Sequence, residues 1–294
     1  MQKEMLRRKY SPRTIKTYIY CINKFLKYNK KELNKITKKD IIDFLEKFIE
    51  KDFSGSTINV YLQSIKFLME EVLHKRRYFY NIKYSKTPKK LPVVLTKKEI
   101  VNLLNNIENR KHKLMIKLMY SSGLRVSELV NLRVHDFQFE NNFGWVRKGK
   151  GNKDRLFIIA QLIKQELRGY IRENKLDNDS WLFLGQKNNH YSQRSIQEII
   201  KRAAKKAKIK KKIHPHTLRH SFSTHLIENG YDVTSVQALL GHNSPDTTMI
   251  YLHMANPNII KVQSPLDSLD LQLNSKHEKS QYGDKNIDNK ESKS

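Results

Sequence analysis

Helix-start signals constrain the fold of this chain more than any other feature. Residues 11–12 (SP) place a serine cap before a proline, and residues 37–40 (TKKD) and 96–99 (TKKE) match capping boxes. Apolar residues at helical spacing follow each signal. A further helix is expected from about Thr57, after a break at residues 54–56 (SGS). The chain is therefore predicted to be mainly α-helical.

One part of the chain has a β pattern. Residues 143–146 and 156–159 are short apolar runs that flank a turn rich in glycine and lysine. Gly149 and Gly151 permit the positive φ angles of a tight turn, so a β-hairpin is predicted that projects Lys150 from its tip. The predicted fold class is mainly α with a small β-sheet.

The chain is predicted to contain two domains. Residues 1–85 form an all-helical unit, residues 86–94 form a polar, proline-containing linker, and residues 95–273 form a second, α+β domain. The last residues, 274–294, are polar and charged with almost nothing to bury, so they are predicted to be disordered.

The balance of charge indicates the class of partner. The formal net charge is +28 and the pI is about 9.9, which favours a polyanion, and nucleic acid is the simplest one. No apolar stretch approaches the roughly 20 residues that span a membrane, and the start of the chain lacks the apolar segment of a signal peptide. We therefore expect a cytoplasmic, nucleoid-associated protein that binds double-stranded DNA and no membrane.

Four segments carry side chains suited to chemistry on a phosphodiester. An arginine guanidinium binds two phosphate oxygens at once, and a tyrosine hydroxyl can attack phosphorus if a base or nearby cations activate it. The segments are SGLRVSEL with Arg125, GKGNKDR with Lys150, HPHTLRHSFSTHL with His216 and Arg219, and LLGHNSPDTTMIYLH with His242 and Tyr251.

In order and internal spacing, these segments resemble the boxes of the tyrosine recombinase (phage integrase) family, and within it the Xer branch. The resemblance implies that Arg125 and Arg219 bind the non-bridging oxygens of the scissile phosphate. It implies in-line attack by Tyr251, which leaves a 3′-phosphotyrosine and a free 5′-hydroxyl. It also implies that the helical unit is a SAM-like core-binding domain and that residues 95–273 are the catalytic domain.

The resemblance assigns the remaining side chains as well. Lys150 would protonate the leaving 5′-oxygen, with Lys153 or Lys148 as alternatives. His216 would act as general acid and base toward the nucleophile, and His242 would donate a hydrogen bond to the phosphate. No cofactor and no metal are implied.

At the level of function, the resemblance implies a site-specific recombinase that works through a Holliday junction. The expected assembly is a homotetramer on two DNA sites, with or without an accessory protein, that resolves chromosome or plasmid dimers. The alternatives are a mobile-element integrase or excisionase of the same family, a type IB topoisomerase, and a DNA-binding protein without catalysis. Strand-exchange products would distinguish recombination from relaxation.

Two further residue patterns leave alternatives open. Glu128, three residues after Arg125, could orient that guanidinium or the second histidine, or could be an ordinary helical salt-bridge partner. His216 and His220 share a helical spacing that zinc sites use, with His225 and His242 as further ligands. The absence of an HExxH motif and of clustered cysteines argues against zinc.

Basic and apolar residues near the end of the chain suggest two surfaces. The run at residues 201–212 is predicted to contact the DNA backbone rather than to be a solvated helix end. Its predicted contact residues are Lys201, Arg202, Lys205, Lys206, Lys208 and Lys210. Leu266, Leu269 and Leu271, in SPLDSLDLQL, are predicted to dock on a neighbouring protomer, with docking on their own domain as the alternative.

Overall fold

The computed structural model describes residues 1–75, 82–87, 91–147, 149, 154–185, 189–240 and 264–268. The chain divides into two compact units, Met1–Leu91 and Pro92–Ser294. The predicted disordered tail, 274–294, lies outside the described residues. The predicted fold class, mainly α with a small β-sheet, is confirmed.

Four α-helices and a short 3-10 helix (Leu33–Lys35) lie in the described part of the first unit, and three of the α-helices begin at a capping side chain. The α-helices are numbered in chain order. They are α1 (Gln2–Arg7), α2 (Pro12–Asn29), α3 (Lys38–Glu50) and α4 (Gly55–Lys66), which continues as a π-helical turn over Phe67–Val72. The predicted serine cap of α2 and the capping box of α3 are confirmed. The break predicted at 54–56 lies at 51–54, because Ser54 accepts the Thr57 backbone N–H and so caps a helix that begins at Gly55, two residues before the predicted start.

Aromatic side chains fill the core of this unit. Phe44 of α3 meets Phe25 of α2 with ring centroids 5.1 Å apart and Tyr61 of α4 at 5.8 Å, both edge to face. Cys21 is buried among them, as expected for a packing residue. The chain after the bundle returns to α4, where the Asn59 amide exchanges two hydrogen bonds with the Ser85 backbone.

The second unit contains seven α-helices among its described residues. They are α5 (Lys97–Asn105), α6 (Arg110–Ser121), α7 (Val126–Val130), α8 (Gln161–Glu173), α9 (Gln193–Lys206), α10 (Pro215–Glu228) and α11 (Val233–Leu240). The predicted capping box of α5 is confirmed by bonds between Thr96 and Glu99 in both directions. From Leu114 onward every residue of α6 is buried, so this helix lies at the centre of the unit.

A small antiparallel sheet stands between α7 and α8 in the chain. Its strands are β1 (Phe137–Gln138), β2 (Phe143–Val146) and β3 (Arg155–Ile158), in the order β1-β2-β3. Strand β3 begins and ends one residue earlier than the predicted second strand, 156–159. Strand β1 was not predicted, because a strand of two residues shows no alternating pattern. The predicted tip of the hairpin, residues 150–153, lies outside the described residues.

A short segment near the end of the chain packs against this same unit. Ser264 donates a hydrogen bond to the Ser121 carbonyl (2.8 Å), and Leu266 is fully buried in the core. The Asp267 carboxylate accepts the backbone N–H groups of Gln161 and Leu162 at 3.2 and 3.0 Å. Within the single chain, the described residues 264–268 thus dock on their own domain. Leu269 and Leu271 lie outside the described residues.

No helix among the described residues is both long and apolar enough to cross a bilayer.

Candidate active site

Arg125 occupies the position just before helix α7. Its backbone is extended (φ −72°, ψ 152°), so Arg125 is the cap residue, whereas its helical spacing to Glu128 implied a position within the helix itself. Glu128, at the third helical position, accepts the Arg125 backbone N–H at 2.8 Å and its Nη1 at 2.7 Å. One carboxylate therefore caps the helix and fixes the guanidinium.

Arg219 projects from α10 into the same buried region. Its Nη1 donates to the Gly123 carbonyl at 2.6 Å, and its Nη2 donates to the Leu240 carbonyl. Gly123 takes a positive φ of 57°, and a Cβ there would meet the Phe222 ring at 2.5 Å, so only glycine fits beside α10. The Nη1 atom of Arg219 also lies 3.9 Å from Glu128 Oε2. Arg125 and Arg219 are thus brought to one carboxylate.

A third arginine, Arg155 at the start of β3, completes this cluster. Its Nη2 donates to Glu128 Oε2 at 2.7 Å and its Nη1 to the Leu239 carbonyl at 2.6 Å. Arg155 ends the GKGNKDR segment, yet the family resemblance assigned it no role. A signal was present, because Arg155 shares the inward face of β3 with the buried Phe157, where a charged side chain is unexpected without a buried partner.

Burial and charge set the protonation of the cluster. Burial alone would raise the pKa of Glu128, but Arg155 and Arg125 outweigh it and lower that pKa to about 2. Burial, Arg155 and Arg125 lower the pKa of Arg219 to about 9, which leaves it cationic at neutral pH. Three guanidiniums thus surround one carboxylate, and the positive charge left over favours an anion such as phosphate.

His216 lies in the first turn of α10, exposed at the edge of the cluster. The protein packed along one side of the imidazole, His220 and the guanidiniums of Arg219 and Arg125 all lower the pKa of His216. The neutral form therefore dominates at neutral pH, and a neutral imidazole can accept a proton.

The other histidines of α10 do not join His216 in a ligand set. His225 points into the core, where its Nδ1 is 2.8 Å from the Tyr120 hydroxyl, so the alternative that counted it as a zinc ligand is wrong. His220 is exposed. Across the described ranges, no group of three or more His, Cys, Asp or Glu side chains is placed to hold a metal ion.

Comparison with known families decides the affiliation of the chain. The model of the phage integrase family matches residues 93–257, and that of the phage integrase N-terminal SAM-like domain matches residues 1–78.

The chain belongs to the phage integrase family.

Curated relatives support the same conclusion. A tyrosine recombinase of Thermosipho africanus is 37% identical over 85% of this chain and 91% of its own length. Tyrosine recombinase XerA of Pyrococcus furiosus is 38% identical over 82% and 83%, respectively. The crystal structure of the XerH site-specific recombinase in a pre-cleavage complex with difH aligns with a TM-score of 0.66 and 26% identity, covering 88% of this chain and 83% of that one. The predicted enzyme class, a site-specific tyrosine recombinase that cleaves and rejoins DNA, is confirmed.

Three of the predicted site residues of this integrase, Lys150, His242 and Tyr251, lie outside the described residues, as do Lys148 and Lys153. The described structure ends close to Lys150 and His242 in the sequence, whereas Tyr251 stands well inside the range 241–263. Strand β3 follows the hairpin tip, and α11 stops two residues before His242. Their roles stay predictions.

The basic run of this integrase is amphipathic. Ala203, Ala204 and Ala207 are buried, whereas the predicted DNA-contacting side chains are all exposed: Lys201, Arg202, Lys205, Lys206, Lys208 and Lys210. Lys206 pairs with Glu108 at 2.7 Å. Most of this run is therefore directed to solvent, which suits phosphate contacts without establishing them.

Proposed function

We propose that this integrase cleaves double-stranded DNA with Arg125 and Arg219 on the scissile phosphate and Tyr251 as the nucleophile. The cluster around Glu128 carries the proposal, because it holds two guanidiniums of separate sequence boxes at one buried point. Placing positive charge where a transition state develops negative charge is usually the largest catalytic contribution.

The proposed reaction balances without a cofactor. The Tyr251 oxygen attacks phosphorus, the bond to the 5′-oxygen breaks, and a 3′-phosphotyrosine forms. His216 accepts the tyrosine proton, which the neutral form of its imidazole permits. Lys150 donates a proton to the leaving 5′-oxygen, and His242 donates a hydrogen bond to the phosphate. Attack by a 5′-hydroxyl of the second DNA site reverses these steps and rejoins the strands.

Resolution of chromosome or plasmid dimers is the proposed biological role. Relatives named XerA and XerD, at 38% and 34% identity, support the Xer branch. The XerH structures are complexes with difH DNA, which supports a specific DNA site for this integrase too. We propose a homotetramer on two such sites, acting in the nucleoid, with or without an accessory protein. An integrase of a mobile element is the alternative.

Covalent capture tests the proposal. On a nicked suicide substrate, wild-type protein should become linked to a 3′-phosphate, while Tyr251→Phe should bind the same DNA without linking. Tyr231→Phe, in the same domain, is the matched control and should link normally. An adduct on the Tyr251→Phe variant would show that another side chain is the nucleophile.

Mapping of the adduct in the host genome separates the two roles. A single chromosomal or plasmid site supports dimer resolution. Adducts at the ends of an insertion would instead assign the protein to that element.

A further inference from the structure

Arg155 is buried as deeply as the residues it contacts. Its side chain is 7% exposed and that of Glu128 is 3% exposed, whereas the Arg125 side chain is 17% exposed. Arg155 is therefore less exposed than Arg125. Its Nη1 and Nη2 both donate to protein acceptors, the Leu239 carbonyl and Glu128 Oε2.

The two oxygens of Glu128 are divided among these partners. Oε1 accepts from Arg125 Nη1, while Oε2 accepts from Arg155 Nη2 and from the Arg125 backbone N–H. A carboxylate gripped on one oxygen presents the other in a fixed direction. The orientation of the Arg125 guanidinium thus depends on Arg155 through the shared carboxylate.

The other end of the Arg155 fork holds α11. Nη1 donates to the Leu239 carbonyl, next to the Leu240 carbonyl that accepts from Arg219. These carbonyls belong to the last turn of the helix, where no intrahelical partner is expected. Arg155 thereby joins the strand after the hairpin, the Arg125 turn and the helix that leads to His242.

We propose that Arg155 is a positioning residue of the recombination reaction, which acts by fixing Glu128 against Arg125 and by holding the end of α11. It touches no reacting atom. This inference rests on the proposed function, because orientation of Arg125 matters only if that guanidinium binds the scissile phosphate.

Arg155→Met tests the role, since methionine fills part of the volume without donors. We expect single-turnover cleavage of a suicide substrate to slow roughly tenfold to a hundredfold, on the scale seen when a partner that orients a direct ligand is lost. Affinity for the same DNA should change less than about twofold. Arg155→Lys should recover part of the rate, because it keeps the charge but cannot fork. Arg168→Met, which removes a surface partner of Glu140, is the control and should cleave normally.

Within the pH range where both proteins stay folded by circular dichroism, the pH profile of cleavage supplies a readout that simple destabilisation would not move. Glu128 faces Arg125, Arg155 and Arg219, and its charge partly offsets the lowering of the His216 pKa. Removing Arg155 should therefore raise the pKa of Glu128, so that on acidification cleavage by Arg155→Met falls at a higher pH than cleavage by wild type. The double variant Arg155→Met with Glu128→Gln should lose this shift and keep only the acid limb of His216.

Each result decides one proposal. If wild type forms the adduct and Arg155→Met cleaves at the same rate with the same pH profile, Arg155 has no positioning role. Parallel loss of affinity and cleavage with an unshifted profile, or unfolding of the Lys variant together with the double variant, would show a role in folding only. If wild type forms no adduct, the proposed function itself fails.

Discussion

At the scale of single residues, Glu128 is the common ionic partner of three arginine side chains. A carboxylate buried beside Arg125, Arg155 and Arg219 is stable only while its partners remain, because breaking one member of a buried ion cluster leaves an uncompensated charge. Folding of the domain and arrangement of its proposed phosphate site are thus tied to the same side chain.

The pH dependence of stability should reveal how far the fold relies on the ionised Glu128 carboxylate. The pKa of Glu128 is lowered from 4.5 to about 2 in the fold, so its ionised form should add about 3 kcal/mol to stability. That contribution is complete above 4.5 and is lost as pH falls towards 2. In urea unfolding, Glu128→Gln should be less stable by about 3 kcal/mol at neutral pH, and the gap should narrow below about pH 4.5.

Glu140→Gln is the control for this measurement, because Glu140 is exposed and pairs with Arg168 at the surface. It should change stability little at any pH. A gap for Glu128→Gln that stays constant down to about pH 3 would contradict the assigned ionisation.

Residue spacing in the sequence predicted only one contact of this cluster, the local one between Arg125 and Glu128. The contact between Arg125 and Glu128 spans three residues and follows from sequence. The contacts of Arg155 with Glu128 and Leu239 span 27 and 84 residues, so no local rule could pair them. The contacts of Arg219 with Gly123 and Leu240 depend in the same way on tertiary packing.

At the scale of elements, the starts of helices that carry a local capping side chain could be predicted from the sequence, whereas the start of α8 could not. Ser11, Thr37 and Thr96 each accept a backbone N–H three residues ahead, within reach of a sequence pattern. Helix α8 follows Ala160, which has no capping side chain, and takes its cap from Asp267 far along the chain. The pairing of β1 was equally unreadable, because two residues show no pattern.

Removal of the Asp267 cap should loosen the end of the described chain. We expect Asp267→Ala to cost about 1 kcal/mol in urea unfolding, since two N–H groups at the positive end of α8 lose their acceptor. Limited proteolysis near residues 264–268 should accelerate. Asp267→Asn should retain part of the stability, because its single carbonyl oxygen can still accept one of the two N–H groups. Equal losses in both variants would point to packing rather than capping.

For the whole molecule, charge should govern DNA affinity. A net charge of +28 and an exposed basic run predict that log affinity falls linearly with log salt. Changing Lys205, Lys208 and Lys210 to Gln should lower the slope by roughly two to three, about 0.9 for each phosphate that is no longer neutralised. Preference among DNA sequences should persist, because backbone contacts carry no base information.

A matched variant separates local contact from total charge. Changing Lys164, Arg172 and Lys175 to Gln removes the same charge on or next to α8 and should leave the slope nearly unchanged. A slope for the first triple variant equal to that of wild type would show that the basic run makes no contact with DNA.

Every copy of the protein carries the docking site that residues 264–268 occupy. It consists of the Ser121 carbonyl, the apolar site of Leu266 and the first N–H groups of α8. A segment that leaves the docking site of its own protomer can bind the same site on a neighbouring protomer and make identical contacts, as in domain swapping. The contact energy is then the same in both arrangements. Protomer concentration and the chain between Leu240 and Ser264 would set the balance of exchange, so two copies held side by side on DNA would favour it most.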